Sequence, residues 1–389
     1  MSVKIIRVTT VPISLKVLLK GQHYFMSQNG FEVIGVASKG QELFEVAMDE
    51  KIAVIPVEMS RAITPVKDLK SLWIIYSLFK RLKPKIVHSH TPKAGLIAMV
   101  AAKLAGVPIR LHTVAGMPLM ETTGLKRKVL DFVEKVTYRA ASKVYPNSKG
   151  LFDFILSAKY TVPSKLKVIG KGSSNGINTS HFSSDLISLE QQIELKKDLG
   201  VLDGDFIFIF VGRLVGDKGV NEIINAFCNL NYLNVKLLLV GATENNLDPL
   251  EAETLNKMQS NKRIIHVGFQ KDVRPYFAIS NALVFPSYRE GFPNVVMQAG
   301  AMELPAIVSD INGCNEIIID GKNGTIIPVK NVDAVKKAME MMITDKELYL
   351  KMKGNARGMI TERYEQQVVW DALLTEYKSL LKDKGLDNV

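Results

Sequence analysis

Phe206-Ile-Phe-Ile-Phe-Val211, followed at once by Gly212-Arg213-Leu-Val-Gly-Asp-Lys218-Gly219, is the stretch on which the fold of this chain turns. An unbroken apolar run rich in aromatic and β-branched residues, closed by a glycine-rich loop, describes a strand covered on both faces. Such a strand belongs to a parallel sheet with helices on either side. Gly212, Gly216 and Gly219 let backbone approach a bulky ligand, and Arg213 and Lys218 add two cations. Ligands of open α/β sheets bind at the carboxyl ends of strands, so the loop suits an anion. An ordinary charged loop would read the same way.

Further along, Ala282-Leu-Val-Phe-Pro-Ser287 repeats the apolar strand, and Glu290-Gly291-Phe-Pro-Asn-Val-Val-Met-Gln298 opens a helix. Pro293 suits the first helical position. The amides of Phe292 to Asn294 would then face phosphate oxygens, while the Glu290 carboxylate would accept bonds from sugar hydroxyls. Gln298, about one and a half turns into that helix, can bond a ribose through its amide. A diphosphate gains negative charge as a glycosidic bond breaks, so Arg213 and Lys218 would favour the transition state over the ground state. Glu290 would equally stabilise the helix dipole.

The same alternation runs along the whole chain. Strands are expected at 3–9, 31–37, 53–57, 85–88, 109–113 and 143–146, with helices at 15–29, 66–83, 93–105 and 126–141 among them. Gly170-Lys-Gly-Ser-Ser-Asn-Gly-Ile-Asn178 breaks the rhythm and reads as a linker. A second series follows, with strands at 206–211, 236–240, 263–267, 282–286, 306–309 and 325–328, and a closing helix at 364–382. The expected architecture is α/β: two doubly wound, Rossmann-like parallel-sheet domains, 1–172 and 173–363, facing a cleft, with 364–389 a helix crossing back to the first domain. The segment after the first strand, Val8-Thr-Thr-Val-Pro-Ile-Ser-Leu15, contains no G-x-G-x-x-G, and no phosphate-binding G-x-x-x-x-G-K-[ST] loop is present. Dehydrogenases and P-loop enzymes are thereby disfavoured.

With 389 residues, 47% of them hydrophobic and 23% charged, the composition is that of a packed soluble protein of two domains. No apolar run reaches the ~18 residues of a membrane span, no signal-peptide core opens the chain, and a cytosolic location is expected. Cys228 and Cys314, the two cysteines, suggest neither a disulfide framework nor a metal cluster. Asp203-Gly-Asp205 precedes a strand and reads as a turn, so no metal is expected.

The net charge of +11 is uneven. Residues 1–171 hold 27 Lys and Arg against 11 Asp and Glu, a balance of +16, while the remainder holds 23 against 28, a balance of −5. A basic first domain suits a polyanion, either nucleic acid or an anionic membrane surface. No helix-turn-helix, zinc finger or aromatic-basic platform accompanies the charge, which disfavours nucleic acid.

Taken together, Asn175-Gly-Ile-Asn178 running to Phe182, the Gly-Arg…Lys-Gly loop, His266-Val-Gly-Phe269, Pro286-Ser287…Glu290-Gly-Phe, and Asn312-Gly313…Asn315-Glu316…Gly321…Asn323-Gly324 resemble the retaining glycosyltransferases of family 4, which have the GT-B fold. The resemblance implies that Arg213 and Lys218 grip the donor diphosphate. It implies that Glu290, Gly291, Phe292 and Asn294 hold the donor sugar, with Gly212 and Phe269 on the donor side. The family usually has a second Glu where this chain has Gln298, which keeps size and acceptor capacity but loses charge. A His often found in a T-x-H-G-like segment is replaced by Ala115 in Thr113-Val-Ala115-Gly116. His88 and His90, alternate residues of one strand, together with Lys93, are the acceptor-side candidates; buried structural histidines remain the other reading.

The expected activity is transfer of a hexose or N-acetylhexosamine from a nucleotide diphosphate sugar, UDP-linked by expectation, with retention and without metal or other cofactor. The expected acceptor is a glycan carried on a polyprenyl diphosphate at the inner membrane face, with Lys126, Arg127 and Lys128 as the docking cluster. Rival readings are a GT-B enzyme using a soluble acceptor, a sugar-nucleotide epimerase, and a nucleic-acid-binding protein.

Overall fold

Strands β1 (Val3–Val8), β2 (Phe31–Ala37), β3 (Ala53–Pro56), β4 (Ile86–Ser89), β5 (Ile109–Val114) and β6 (Lys143–Pro146) form one parallel sheet in the order β3-β2-β1-β4-β5-β6. The computed structural model describes residues 2–62, 64–117, 119, 122–244 and 248–386. Strands β7 (Phe206–Val211), β8 (Val235–Val240), β9 (Ile264–His266), β10 (Ala282–Phe285), β11 (Ala306–Ser309) and β12 (Gly324–Ile327) form a second parallel sheet, β12-β11-β10-β7-β8-β9. The two orders are the same topology. In each, the first and fourth strands lie side by side, and the connections diverge there, which opens a crevice at the carboxyl ends of that strand pair.

In the first sheet, helices α1 (Pro12–Leu18), α2 (Gln22–Gln28), α3 (Gln41–Asp49), α4 (Pro65–Leu82), α5 (Pro92–Ala105), α6 (Gly124–Ala140) and α7 (Lys149–Ser157) link the strands or follow them. The 15–29 helix expected from sequence is two helices, because the chain turns at Gly21, where φ is 80°. Neighbouring residues of β1 serve opposite layers: Ile5 packs with Leu15, Leu43 and Val46, and Ile6 packs with Ile75, Phe79 and Ala98. Covering both faces removes the polar alternation of an open sheet.

The second sheet carries α8 (Leu189–Asp198), α9 (Val220–Cys228), α10 (Ala252–Ser260), α11 (Arg274–Ala278), α12 (Asn294–Ala301), α13 (Cys314–Ile317), α14 (Val332–Thr344) and α15 (Lys346–Tyr364). Its core runs from Ile207 to Phe210 of β7 through Leu237 to Leu239 of β8 and Ala282 to Phe285 of β10. A last helix, α16 (Gln366–Asp383), is separate from α15, the break falling at Glu365. Its Leu373, Leu374 and Tyr377 pack with Ile5, Leu111 and Tyr145 of the first sheet. Contacts divide the chain into one unit of Met1–Gly176 with Gln367–Val389, and another of Ile177–Gln366; the boundaries expected from sequence were 172/173 and 363/364.

Candidate active site

The loop after β7 and the loop after β10 meet at the crevice of the second sheet. Lys218 Nζ donates to Glu290 Oε1 at 2.5 Å, and the Ser287 hydroxyl lies 3.1 Å from the same oxygen. Both charged side chains are mostly shielded, at 18% and 16% exposure, so the pair is held in place while one side stays open to a ligand. Lys218 also lies 6.0 Å from the centre of the Phe285 ring, a further restraint on the ammonium.

Close backbone packing sets this geometry. Gly219 follows Lys218 with φ 70°, and a Cβ built there would lie 2.2 Å from the Pro286 carbonyl oxygen. Only glycine lets the end of the first loop sit against the start of the second. Tyr288 N donates to Asp217 O at 2.8 Å, and Arg289 Nη2 donates to Asp217 Oδ2 at 2.6 Å, binding the loops twice more. Asn312 Nδ2 donates to Glu290 O at 3.1 Å and to Gly291 O at 2.6 Å, fixing the turn that carries the carboxylate.

Arg213 is exposed, and among the described residues its guanidinium has neither a hydrogen bond nor an ion pair. Gly212, between it and β7, donates to Val240 O. Helix α12 begins at Asn294 with Pro293 as its cap, one residue later than the sequence suggested. The amides of Gly291, Phe292, Asn294 and Val295 have no acceptor among the described residues. These donors sit at a helix N-terminus, where partial positive charge gathers. Gln298 is half-buried one turn beyond Asn294, so the two share a helix face. The Phe292 ring turns inward against Tyr364, which leaves its amide as the group available to a ligand. Phe269 sits past edge strand β9, two strands from β7, with 77% of its surface exposed.

Electrostatics at the base of the site are consistent with this arrangement. Burial pushes the Cys314 thiol well above its ordinary value, with the Glu290 charge adding to the effect. It is therefore a neutral packing group at the start of α13. Burial and the Glu222 carboxylate, bonded to its hydroxyl at 2.6 Å, likewise raise Tyr288. Glu316 lies in the first turn of α13, and its carbonyl accepts from Arg363 and Tyr364.

In the first unit, the histidines are brought together but enclosed. The rings of His88 and His90 are 4.1 Å apart, and neither is accessible to a sugar. His88 Nδ1 lies 2.6 Å from the Tyr377 hydroxyl, and His88 Nε2 lies 2.7 Å from that of Thr113. Burial first, then the nearby Arg7, holds His88 well below its ordinary pKa, so it is neutral. His90 borders a cavity of about 20 Å³ with Gln22, Asn147, Ser173 and Ser174, space for one water and too small for a glycan. Lys93 is paired with Asp68. The helix expected to start at 126 begins at Gly124, which places Lys126, Arg127 and Lys128 in its first turns. Lys126 and Lys128 are exposed, but Arg127 turns to Asp131, to the Leu119 carbonyl and to Tyr160 and is not free to dock.

Two family models match the chain: Glycosyl transferases group 1 over residues 191–359, and Glycosyl transferase 4-like over residues 17–148. This chain is a family 4 glycosyltransferase. The first model spans the whole crevice described above, and the second spans most of the first sheet. Among relatives of this glycosyltransferase, the capsular polysaccharide biosynthesis glycosyltransferase CapM of Staphylococcus aureus is 35% identical, covering 98% of both chains. The UDP-Gal:alpha-D-GlcNAc-diphosphoundecaprenol alpha-1,3-galactosyltransferase of Escherichia coli is 28% identical over 86% of this chain and 85% of its own. The solved structure of Anabaena HepE in complex with UDP superposes with a TM-score of 0.81 at 17% identity, covering 97% of this chain and all of that one. A Rickettsia africae glycosyltransferase gives 0.80 at 19%, covering 98% and 99%. The fold of the glycosyltransferase is accordingly GT-B, and its relatives include enzymes of surface-glycan assembly.

Proposed function

We propose that this glycosyltransferase moves a hexose or N-acetylhexosamine, with retention, from a UDP-sugar to a glycan carried on a polyprenyl diphosphate. The observation that carries the reading is the Lys218–Glu290 pair at 2.5 Å, with the unpaired Arg213 on the same loop as Lys218. An ammonium and a guanidinium neutralise a departing diphosphate, and a carboxylate beside them orients sugar hydroxyls. In the reaction the bond from the anomeric carbon to the phosphate oxygen breaks. The bond to the acceptor oxygen forms on the same face, and the acceptor proton passes to the departing phosphate. Lys218, Arg213 and the amides at the start of α12 would hold the charge that builds on the diphosphate, so the reaction needs no divalent metal.

The choice of donor and acceptor is supported by the Escherichia coli relative, whose name specifies UDP-Gal and an undecaprenyl-diphosphate acceptor. Among the described residues no helix is long and apolar enough to cross a membrane.

A panel of nucleotide sugars, followed by nucleoside diphosphate release with and without a lipid-linked acceptor, tests the reading. Arg213→Ala and Glu290→Ala should each lower kcat roughly 10²- to 10³-fold, the cost of removing one preorganised electrostatic contact. Unchanged transfer in both would refute the site. Activity should persist in excess EDTA, and loss restored by manganese would refute metal independence.

A further inference from the structure

Helices α4 and α6 both pack on α5, a helix of buried Ala94, Ala98, Ala101 and Ala102 that sinks between them. Each turns an apolar stripe outward. On α4 the stripe is Val66, Leu69 and Trp73, at 85%, 68% and 66% exposure, and Trp73 stacks on Tyr76 at 5.2 Å. On α6 it is Leu125, Val129 and Phe132, at 78%, 42% and 68%. Spacings of three, four and seven residues put each set on one side of its helix. A monomeric soluble surface would not ordinarily gather large side chains in this way.

The charges beside the stripes are of one sign. Lys67, Lys70, Lys126 and Lys128 are exposed, as are Lys80 and Lys135 further along. The three acidic residues of the two helices are all withdrawn: Asp68 pairs with Lys93, Asp131 with Arg127 and Tyr160, and Glu134 is buried. Among the described residues of these two helices, the charges left facing outward beside the apolar strip are therefore bases. A further exposed group, Phe44 and Met48 on α3, has Glu42, Glu45 and Asp49 on the same helix, with Lys16 bridging to Glu45, and lacks this polarity of charge.

Position adds a third observation. Both stripes occupy the N-terminal halves of their helices, and crossover helices of a parallel sheet begin at the carboxyl ends of the strands, the edge where ligands bind. A cavity of about 510 Å³ opens beside the α4 stripe, with Val57, Met59 and Ile74 within it and Lys67 and Lys70 among its lining. Glu58 and Asp68 also line it, so the one-signed charge belongs to the helix faces and not to the cavity.

We propose that the outer face of α4 and α6 seats this protein on an anionic lipid bilayer, with Trp73 and Phe132 entering the headgroup layer and the flanking lysines meeting lipid phosphates. This deepens the reading of a membrane-borne acceptor given above and moves the centre of docking from the 126–128 cluster to two helices. Aromatic side chains favour the bilayer interface, and bases near its anionic surface each add to binding. The seat would present the ligand-binding edge of the first sheet to the membrane plane.

The full chain is tested by co-sedimentation with vesicles of phosphatidylcholine containing about one-third phosphatidylglycerol. Leu69→Glu with Trp73→Glu should lower the partition coefficient at least ten-fold, and Phe132→Glu should lower it in the same sense. Lys67→Glu with Lys70→Glu should lose binding at low salt and differ little from wild type at high salt. Each variant must keep the wild-type melting temperature and UDP binding, and Trp73→Phe should restore most of the partition. Transfer to a short-chain, water-soluble acceptor should survive in every variant while transfer to a vesicle-bound one falls. Wild type that ignores anionic vesicles, variants that bind as wild type does, or stripe substitutions that convert a dimer to a monomer without altering partition would each overturn the proposal. Wild type that binds vesicles but turns over no nucleotide sugar would instead overturn the functional reading alone.

Discussion

The smallest unit that matters in this protein is the contact between two loops, and Gly219 controls it. Its left-handed φ of 70° and the Pro286 oxygen 2.2 Å from its would-be Cβ make it a test of how tightly Lys218 is placed. Gly219→Ala should cost roughly 2–4 kcal/mol, part backbone strain and part displacement of the β10 loop. Gly204→Ala is the control, since Gly204 has φ 89° but nothing within 4 Å, and should cost about 1 kcal/mol. Equal shifts in urea midpoint for the two would show that the close approach is not a constraint. The position of Arg213, Lys218 and Glu290 on loops at strand ends was legible in the sequence, because each follows an apolar strand and glycine marks each loop. The support from Ser287, Asp217 and Asn312 was not, since a hydroxyl, a carboxylate or an amide in a loop has no signature until its neighbours are known.

At the scale of elements, α16 belongs with the first sheet through polar as well as apolar contacts. The Tyr377 hydroxyl lies 3.3 Å from Arg7 Nη2 and 2.6 Å from His88 Nδ1, while Glu376 accepts from Tyr145 at 3.1 Å and pairs with Lys167. Arg7 is fully buried, and among the described residues its side chain donates to Gln22 and Tyr377, neither of them charged. Tyr377→Phe keeps the ring and removes the hydroxyl, leaving two buried polar groups short of a partner. It should destabilise the first unit by about 1–3 kcal/mol in chemical denaturation. A change below about 0.5 kcal/mol would mean that the α16 contact is apolar only. Helical spacing at 364–382 was readable in the sequence and put the start of this helix within two residues of Gln366, although no glycine or proline marks the break at Glu365.

For the whole molecule, the buried histidines make stability depend on pH. Burial lowers His23, His88 and His90 well below the ordinary 6.5, and His112 to about 4. Below pH 6.5 the unfolded chain therefore binds protons that the folded chain does not, so stability rises with pH across that range and falls as pH drops through it. Each such histidine contributes up to about 1.4 kcal/mol per pH unit below 6.5 until its folded-state pKa is reached. The melting temperature should fall between pH 7 and 5, and His112→Asn should flatten that fall. A melting temperature that is level over the range would contradict neutral burial of these rings.

The sequence by itself determined that this chain alternates strand and helix in two sheets, and that a glycine-rich loop carrying two cations follows the strand at 206–211. Apolar runs, glycine punctuation and unbalanced charge are local properties, and they survive in a linear reading. Only the tertiary structure decided what His88, His90 and Arg127 do, because burial and pairing are set by elements distant in the chain: Tyr377 closes over His88, and Tyr160 joins Asp131 in holding Arg127. Tertiary structure likewise set apart the outward stripes of α4 and α6, since an apolar residue on a helix reads as core until packing leaves it uncovered.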